Sequence, residues 1–395
     1  MLNEKSLAWG KSKSCIRELA AYGAARKQEI GEDKVFDFSL GNPSIPAPAC
    51  VEEALLELVK TVPAAKLHGY TPAAGLPSLR AAVAKDLNKR WGTALEGEHI
   101  YVCCGAAAGL ASCMKGLLNS GEQAVAFAPF FPEYRVFAEG AGAELVVVPP
   151  MEDMQPDLES FKKAVNEKTG IVIINSPNNP SGVVLSAENL KALAEILKEA
   201  QEKYAHPIYL VSDEPYRELV YDDVKLPCVF DYYNNSIVVY SFSKSMSLPG
   251  ERIGYVAVNP KMEQGDLVFA AVAGAARSYG YVNPPSMMQM VVERCLGQTA
   301  DISLYKKNRD LLCDILESLN FKCVKPDGAF YLFVKCPIAD AKLFSESAKK
   351  YELLLVPGDD FGLEGYVRLA YCVAEQTIKN SLPAFEKLAK EYGLK

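Results

Sequence analysis

The amino-acid sequence predicts an α/β protein: a large domain on a mainly parallel seven-stranded sheet flanked by helices, and a smaller α+β domain beside it. Three observations predict it. Seven short apolar runs recur between residues 100 and 258, with helical patterns between several of them. Runs that are apolar throughout, rather than alternating, suit strands covered on both faces, the setting of parallel sheets. The last hundred residues lose that alternation, and a chain of 395 residues has room for two cores. We set the large domain at residues 46–285 and the small one at 1–45 with 286–395. Residues 1–45 join the small domain without a sequence signal of their own.

The elements follow in order. Ile100 to Cys104 is the first strand, and a helix of small residues runs from about Ala106 to Leu118. Ala124 to Ala128, Glu144 to Val148 and Ile171 to Ile174 are the next strands. The last of these enters a Pro/Asn/Gly loop from Asn175 to Gly182. A helix from about Ala187 to Tyr204 precedes strands at Pro207–Ser212, Ser236–Tyr240 and Ile253–Val258. Leu312, Ile315, Leu316 and Leu319 repeat at helical spacing and predict a helix from about Tyr305 to Leu319. Phe330–Val334, Leu353–Val356 and Tyr366–Tyr371 read as strands, a helix lies near Ala341 to Tyr351, and a polar helix closes the chain.

Composition excludes several classes. A net charge of −7 argues against a nucleic-acid binder, which usually presents a basic face. His68, His99 and His206 are too few and too scattered for a metal site, and no His-x-x-x-His or Cys-x-x-Cys pair occurs, so no metal is expected. The start, Met1 to Ser6, lacks the features of a secretory leader. Of the eleven cysteines, several lie in apolar segments, such as Cys103, Cys104 and Cys113. They suit a reducing, cytoplasmic compartment. No apolar run approaches a membrane span.

Chemistry gathers at strand ends, where parallel α/β sheets bind ligands. Ser241 to Lys244 follows one apolar run, and Arg252 comes eight residues after the lysine. A lysine in a partly dry site can lose its proton and condense with a carbonyl, while an arginine nearby can grip a phosphate. The pair suggests a phosphorylated aldehyde cofactor, pyridoxal 5'-phosphate; a surface lysine and arginine beside a strand is the plainer reading. Asn179 follows a second run, and Asp213 and Tyr216 a third, so all of these side chains can reach one pocket. Alone, Asn179 to Gly182 is a good turn and Asp213 a possible helix cap.

Taken together, Asn179 to Gly182, Asp213 with Tyr216, Ser241 with Lys244, Arg252 and Arg368 resemble the motifs of fold-type I pyridoxal-phosphate enzymes, specifically class I/II aminotransferases similar to aspartate aminotransferase. The resemblance runs from about Asp37 to Cys372. It implies that Lys244 holds the cofactor and then moves a proton, that Asp213 binds the pyridine nitrogen, and that Asn179 and Tyr216 hydrogen-bond the ring oxygen. It implies a phosphate cradle of Gly105, Ala106, Ala107, Ser241 and Arg252 at a strand-to-helix turn. Relatives often carry a hydroxyl where Ala106 and Ala107 stand, so the cradle leans on Ser241 and Arg252. Phe131 matches the ring that stacks on the cofactor, with Phe130 as competitor and plain core as the bland reading of both. Tyr70 matches a residue that reaches the partner subunit's site in a homodimer, although its local context equally suits a turn. Arg368 would hold the substrate carboxylate, with the backbone of Gly41 lining the same pocket; an internal ion pair is the alternative.

The substrates so implied are an L-amino acid, with aspartate favoured, and a 2-oxo acid. A distal carboxylate needs a second cation, and Arg277 is the candidate; it could equally pair at a dimer surface. The aromatic residues Tyr279, Tyr281, Phe330 and Tyr331 could instead serve an aromatic substrate. A carbon–sulfur β-lyase, an aromatic or alanine aminotransferase and a cofactor-sensing regulator remain as alternatives.

Overall fold

The structure is a computed structural model that describes residues 2–12 and 14–395. Strand β1 (Phe36–Asp37) lies near the start of the chain. Seven strands then form the large sheet: β2 (Ile100–Cys103), β3 (Gln123–Phe127), β4 (Glu144–Val148), β5 (Thr169–Asn175), β6 (Tyr209–Asp213), β7 (Ser236–Ser241) and β8 (Gly254–Val258). Their order is β2-β8-β7-β6-β5-β3-β4. Strands β3 to β7 run parallel, and β8 is antiparallel to both of its neighbours.

The apolar runs are continuous because both faces of the sheet are covered. Val172 and Ile174 of β5 join one hydrophobic core, while Ile171 and Ile173 join the other. The period of two along a strand sends alternate side chains to opposite helix layers. The helix Ala106–Leu117 is rich in small residues for a packing reason. A β-carbon on Gly116 would lie 2.8 Å from the Ala271 carbonyl oxygen, so the helix Gly265–Ser278 approaches it backbone to backbone.

The C-terminal part adds β9 (Lys322–Cys323), β10 (Tyr331–Lys335), β11 (Leu353–Leu354), β12 (Val356–Pro357) and β13 (Tyr366–Ala370). Four of these make an antiparallel sheet in the order β12-β13-β10-β9. Strand β11 pairs in parallel with β1, which ties the start of the chain to this part. Arg26 reinforces the link through hydrogen bonds to Glu352 of 2.7 to 3.1 Å.

Two N-terminal helices, Glu4–Lys11 and Cys15–Ile30, have no counterpart in the sequence reading. The first buries no residue, and the second buries only Leu19 and Gly23. Neither carries a full apolar stripe for periodicity to reveal. No helix among the described residues is long and apolar enough to cross a membrane.

Candidate active site

The site forms where β5, β6 and β7 end. Strand register sets Asn175 beside Asp213, and Asp213 beside Val239. Asn175 locks the arrangement: its Nδ2 donates to the Asp213 carbonyl at 2.8 Å, and its Oδ1 accepts from the Asn179 backbone N–H at 2.7 Å. Gly254 of β8 pairs with both Ser241 and Cys103. That pairing brings the turn at Gly105 alongside the lysine loop.

Asp213 is buried, and only half of its carboxylate is satisfied. Oδ2 accepts from the Tyr134 hydroxyl at 2.6 Å, while Oδ1 is buried without a partner. Burial pushes this carboxyl up to about 7; the Tyr134 hydrogen bond opposes the rise and Glu214 adds to it. Lys244 Nζ donates to the Gly41 carbonyl at 2.8 Å and lies 5.3 Å from the centre of the Phe330 ring. Burial lowers its pKa to about 8; the Cys372 thiol opposes this, and Arg368 and Arg252 add to it. An amine so placed sheds its proton easily, the state a nucleophile or base requires.

Gly105 opens the twelve-residue helix Ala106–Leu117 with φ +83°, a conformation glycine tolerates best. A β-carbon there would lie 2.8 Å from Arg252 Nη2. The exposed Arg252 adopts φ +52° and donates from Nη1 to the Pro249 carbonyl at 2.7 Å. Ser241 Oγ pairs with Ser243 Oγ at 2.8 Å beside this turn. Ala106 and Ala107 begin the helix, where backbone N–H groups lack partners within the helix.

Arg368 is buried and makes no ion pair with an acidic residue among the described residues. Its Nη1 donates to Asn179 Oδ1 at 3.3 Å and its Nη2 to the Ser39 carbonyl at 2.5 Å, while Nε is buried without a partner. The Tyr216 hydroxyl meets that of Tyr331 at 3.1 Å. Asp213, Tyr216, Lys244, Asn179, Arg368 and Gly41 thus belong to one connected group.

Other candidates stand further out. Phe131 is half-buried and meets Tyr134 edge to face, whereas Phe130 is buried and stacks on Tyr134. Tyr70 is 99% exposed, and Arg277 is exposed near the end of the helix Gly265–Ser278. Neither joins the group within one protomer.

Residues 33–385 match the model of the family described as aminotransferase class I and II. The chain belongs to that family. This aminotransferase is 32% identical over 362 residues to the probable aspartate/prephenate aminotransferase of Thermus aquaticus, covering 87% of this chain and 89% of the relative. It is 31% identical over 360 residues to the aspartate/prephenate aminotransferase of Thermus thermophilus, covering 88% and 89%. Among solved structures, an amino transferase from Eubacterium rectale superposes with a TM-score of 0.97 at 47% identity, covering 99% of each chain. The aspartate aminotransferase of Thermus thermophilus with maleate superposes with a TM-score of 0.87 at 27% identity, covering 98% of this chain and 99% of that one.

Enzymes of this family use pyridoxal 5'-phosphate, and the aminotransferase is a transferase dependent on it. Its residues fit the group. The unpartnered Asp213 Oδ1 calls for a protonated nitrogen, Lys244 offers an amine to an aldehyde, and the Gly105 turn with Arg252 offers donors to a phosphate.

The sequence reading overlooked Tyr134 and Ser39. Tyr134 lies three residues past Phe131, on the helix Glu133–Ala141, and there it passes for core. Ser39 contributes only its carbonyl to Arg368, and a backbone acceptor leaves no mark in a sequence.

Proposed function

We propose that the aminotransferase moves the amino group of L-aspartate to a 2-oxo acid. The observation that carries this reading is that three groups of one connected cluster are held out of their ordinary states. Lys244 has a depressed pKa, Asp213 has a bare buried oxygen, and Arg368 has a bare buried Nε. Aspartate is favoured because relatives matched over most of the chain carry that name.

Bound pyridoxal phosphate supplies an electrophilic carbonyl and an electron-withdrawing ring. Asp213, whose Oδ1 is buried without a partner, would hold a proton on the ring nitrogen, because a buried carboxylate beside a cation is stabilised as the anion. Asn179 and Tyr216 would donate hydrogen bonds to the ring oxygen. Gly105, Ala106, Ala107, Ser241 and Arg252 would hold the phosphate, and Phe131 would cover the ring against water. Arg368 binds the substrate α-carboxylate through its free edge, with Gly41 lining the pocket. Lys244 Nζ would take the proton from the substrate Cα and hold it for return, which is general acid–base work by a group tuned near neutrality.

The large domain, residues 46–285, carries the cofactor site, and residues 1–45 with 286–395 supply Gly41 and Arg368. The enzyme acts as a homodimer with shared sites. The full exposure of Tyr70 in one protomer supports this, as does the exposed aromatic patch of Tyr279 and Tyr281. Arg277 then reads the distal carboxylate across the interface. We place the enzyme in the cytoplasm, on its eleven free thiols.

Mixing the loaded enzyme with single amino acids tests the reading. Aspartate is expected to bleach the cofactor band and yield oxaloacetate, and 2-oxoglutarate to restore the band. Pyruvate and ammonia released from cystathionine without an oxo acid would overturn it in favour of elimination.

A further inference from the structure

Tyr331 opens β10, and the strand register places it diagonally from Arg368. Tyr331 pairs with Ala370, and Phe333 pairs with Arg368, so residues 331, 333, 368 and 370 share one face of the small sheet. The Arg368 Cζ lies 4.7 Å from the centre of the Tyr331 ring and 5.0 Å from that of Phe361. An aromatic face attracts a guanidinium and fixes its plane while leaving its edges free for hydrogen bonds. The Tyr331 hydroxyl, also buried, meets the Tyr216 hydroxyl at 3.1 Å, with the two rings edge to face at 5.7 Å. Gly41 makes room for it: a β-carbon there would overlap the Tyr331 hydroxyl. A phenylalanine would fill the same space without bringing a hydroxyl into the interior, so the oxygen needs a partner to be tolerated.

We propose that Tyr331 is a positioning residue with two separable actions: its ring sets the plane of Arg368, and its hydroxyl donates to Tyr216 so that Tyr216 donates more strongly in turn. This rests on the functional reading above, which puts Arg368 on the substrate carboxylate and Tyr216 on the ring oxygen of the cofactor. Burial pushes the Tyr331 phenol up to about 12, partly offset by Arg368, so it stays a neutral donor through the working range. The same order of donation follows from charge. A hydrogen bond into the Tyr216 oxygen makes the Tyr216 proton more acidic and a better partner for an anionic oxygen. With the cofactor bound, less negative charge would remain on that oxygen, and the pH midpoint of the cofactor band would lie lower.

Tyr331→Phe and Tyr331→Leu separate the two actions, read by the pH midpoint of the resting cofactor band and by KM and kcat for the donor that converts wild type fastest. Tyr331→Phe keeps the ring: KM is expected to stay within about twofold while the midpoint rises by about half a pH unit or more. Tyr331→Leu removes both: the same rise is expected, with KM raised about tenfold. An unchanged midpoint in Tyr331→Phe overturns the hydroxyl action. An unchanged KM in Tyr331→Leu overturns the ring action. A fall in melting temperature alone, with KM and midpoint at wild-type values in both variants, reduces Tyr331 to core filling and overturns the whole proposal. The midpoint is read without any substrate, so failure of aspartate as donor in wild type counts against the donor assignment and not against Tyr331.

Discussion

At the scale of single residues, the site is a set of groups held away from their ordinary states. Lys244 is half-buried with its pKa lowered to about 8, and Asp213 is buried with its carboxyl raised to about 7. Lys244→Ala is expected to abolish the cofactor band and lower kcat by about a thousandfold or more. Asp213→Asn, which cannot neutralise a ring cation, is expected to lower kcat by at least about a hundredfold while the protein still folds. The same two groups shape stability once the cofactor is removed. In the unfolded chain the Asp213 carboxyl loses its proton from about 3.8, whereas the folded state keeps it until about 7. The native state therefore binds more protons in that window, and its stability falls as pH rises from about 4 to 7. Lys244 works at higher pH: its depressed pKa makes stability rise from about 8 toward 10.5. Melting curves of cofactor-free Asp213→Asn are expected to lose the acid-side slope and those of Lys244→Met the alkaline one. Lys244, Asp213 and Asn179 were legible in the sequence because each lies at or within four residues of the end of an apolar strand. Tyr134 was not, since a tyrosine on an amphipathic helix looks the same whether its hydroxyl meets water or a carboxylate.

At the scale of elements, strand ends and helix starts do the positioning. The turn at Gly105 shows this, with φ +83° and Arg252 packed where a side chain would begin. Gly105→Ala is expected to raise the dissociation constant for pyridoxal phosphate by about tenfold or more, because backbone strain and the displaced arginine act on the same site. Titration of the cofactor-free variant against wild type measures this, and equal affinities would contradict it. The large-sheet strands were readable as apolar runs. Their directions were not: β8 is as apolar as β7 yet runs antiparallel to it. The Asn179 to Gly182 turn is more than a turn. Gly182 packs against Pro326 and the Tyr331 carbonyl, and its own carbonyl accepts from the Gly328 N–H at 2.9 Å. Such docking joins residues far apart in the chain, and local pattern does not encode it.

At the scale of the whole molecule, the site draws on both ends of the chain. Ser39 and Gly41 come from the start, Arg368 from near the end, and the lysine from between. Pairing of β1 with β11 makes that convergence possible. A single protomer still leaves Tyr70 in solvent, which motivates the dimer. Lys244→Ala and Tyr70→Ala protomers, each nearly inactive alone, are expected to regain activity when mixed and re-equilibrated. Hybrid dimers would contain one site with both native residues. Light scattering should report a dimer in every case, and mixing without recovery would show that Tyr70 acts within its own protomer or not at all.

The attachment point of the cofactor tests the account most directly. Borohydride reduction of the loaded enzyme, followed by digestion and peptide mass analysis, is expected to find the pyridoxyl adduct on the peptide that contains Lys244. An adduct on another lysine, or none, would contradict it.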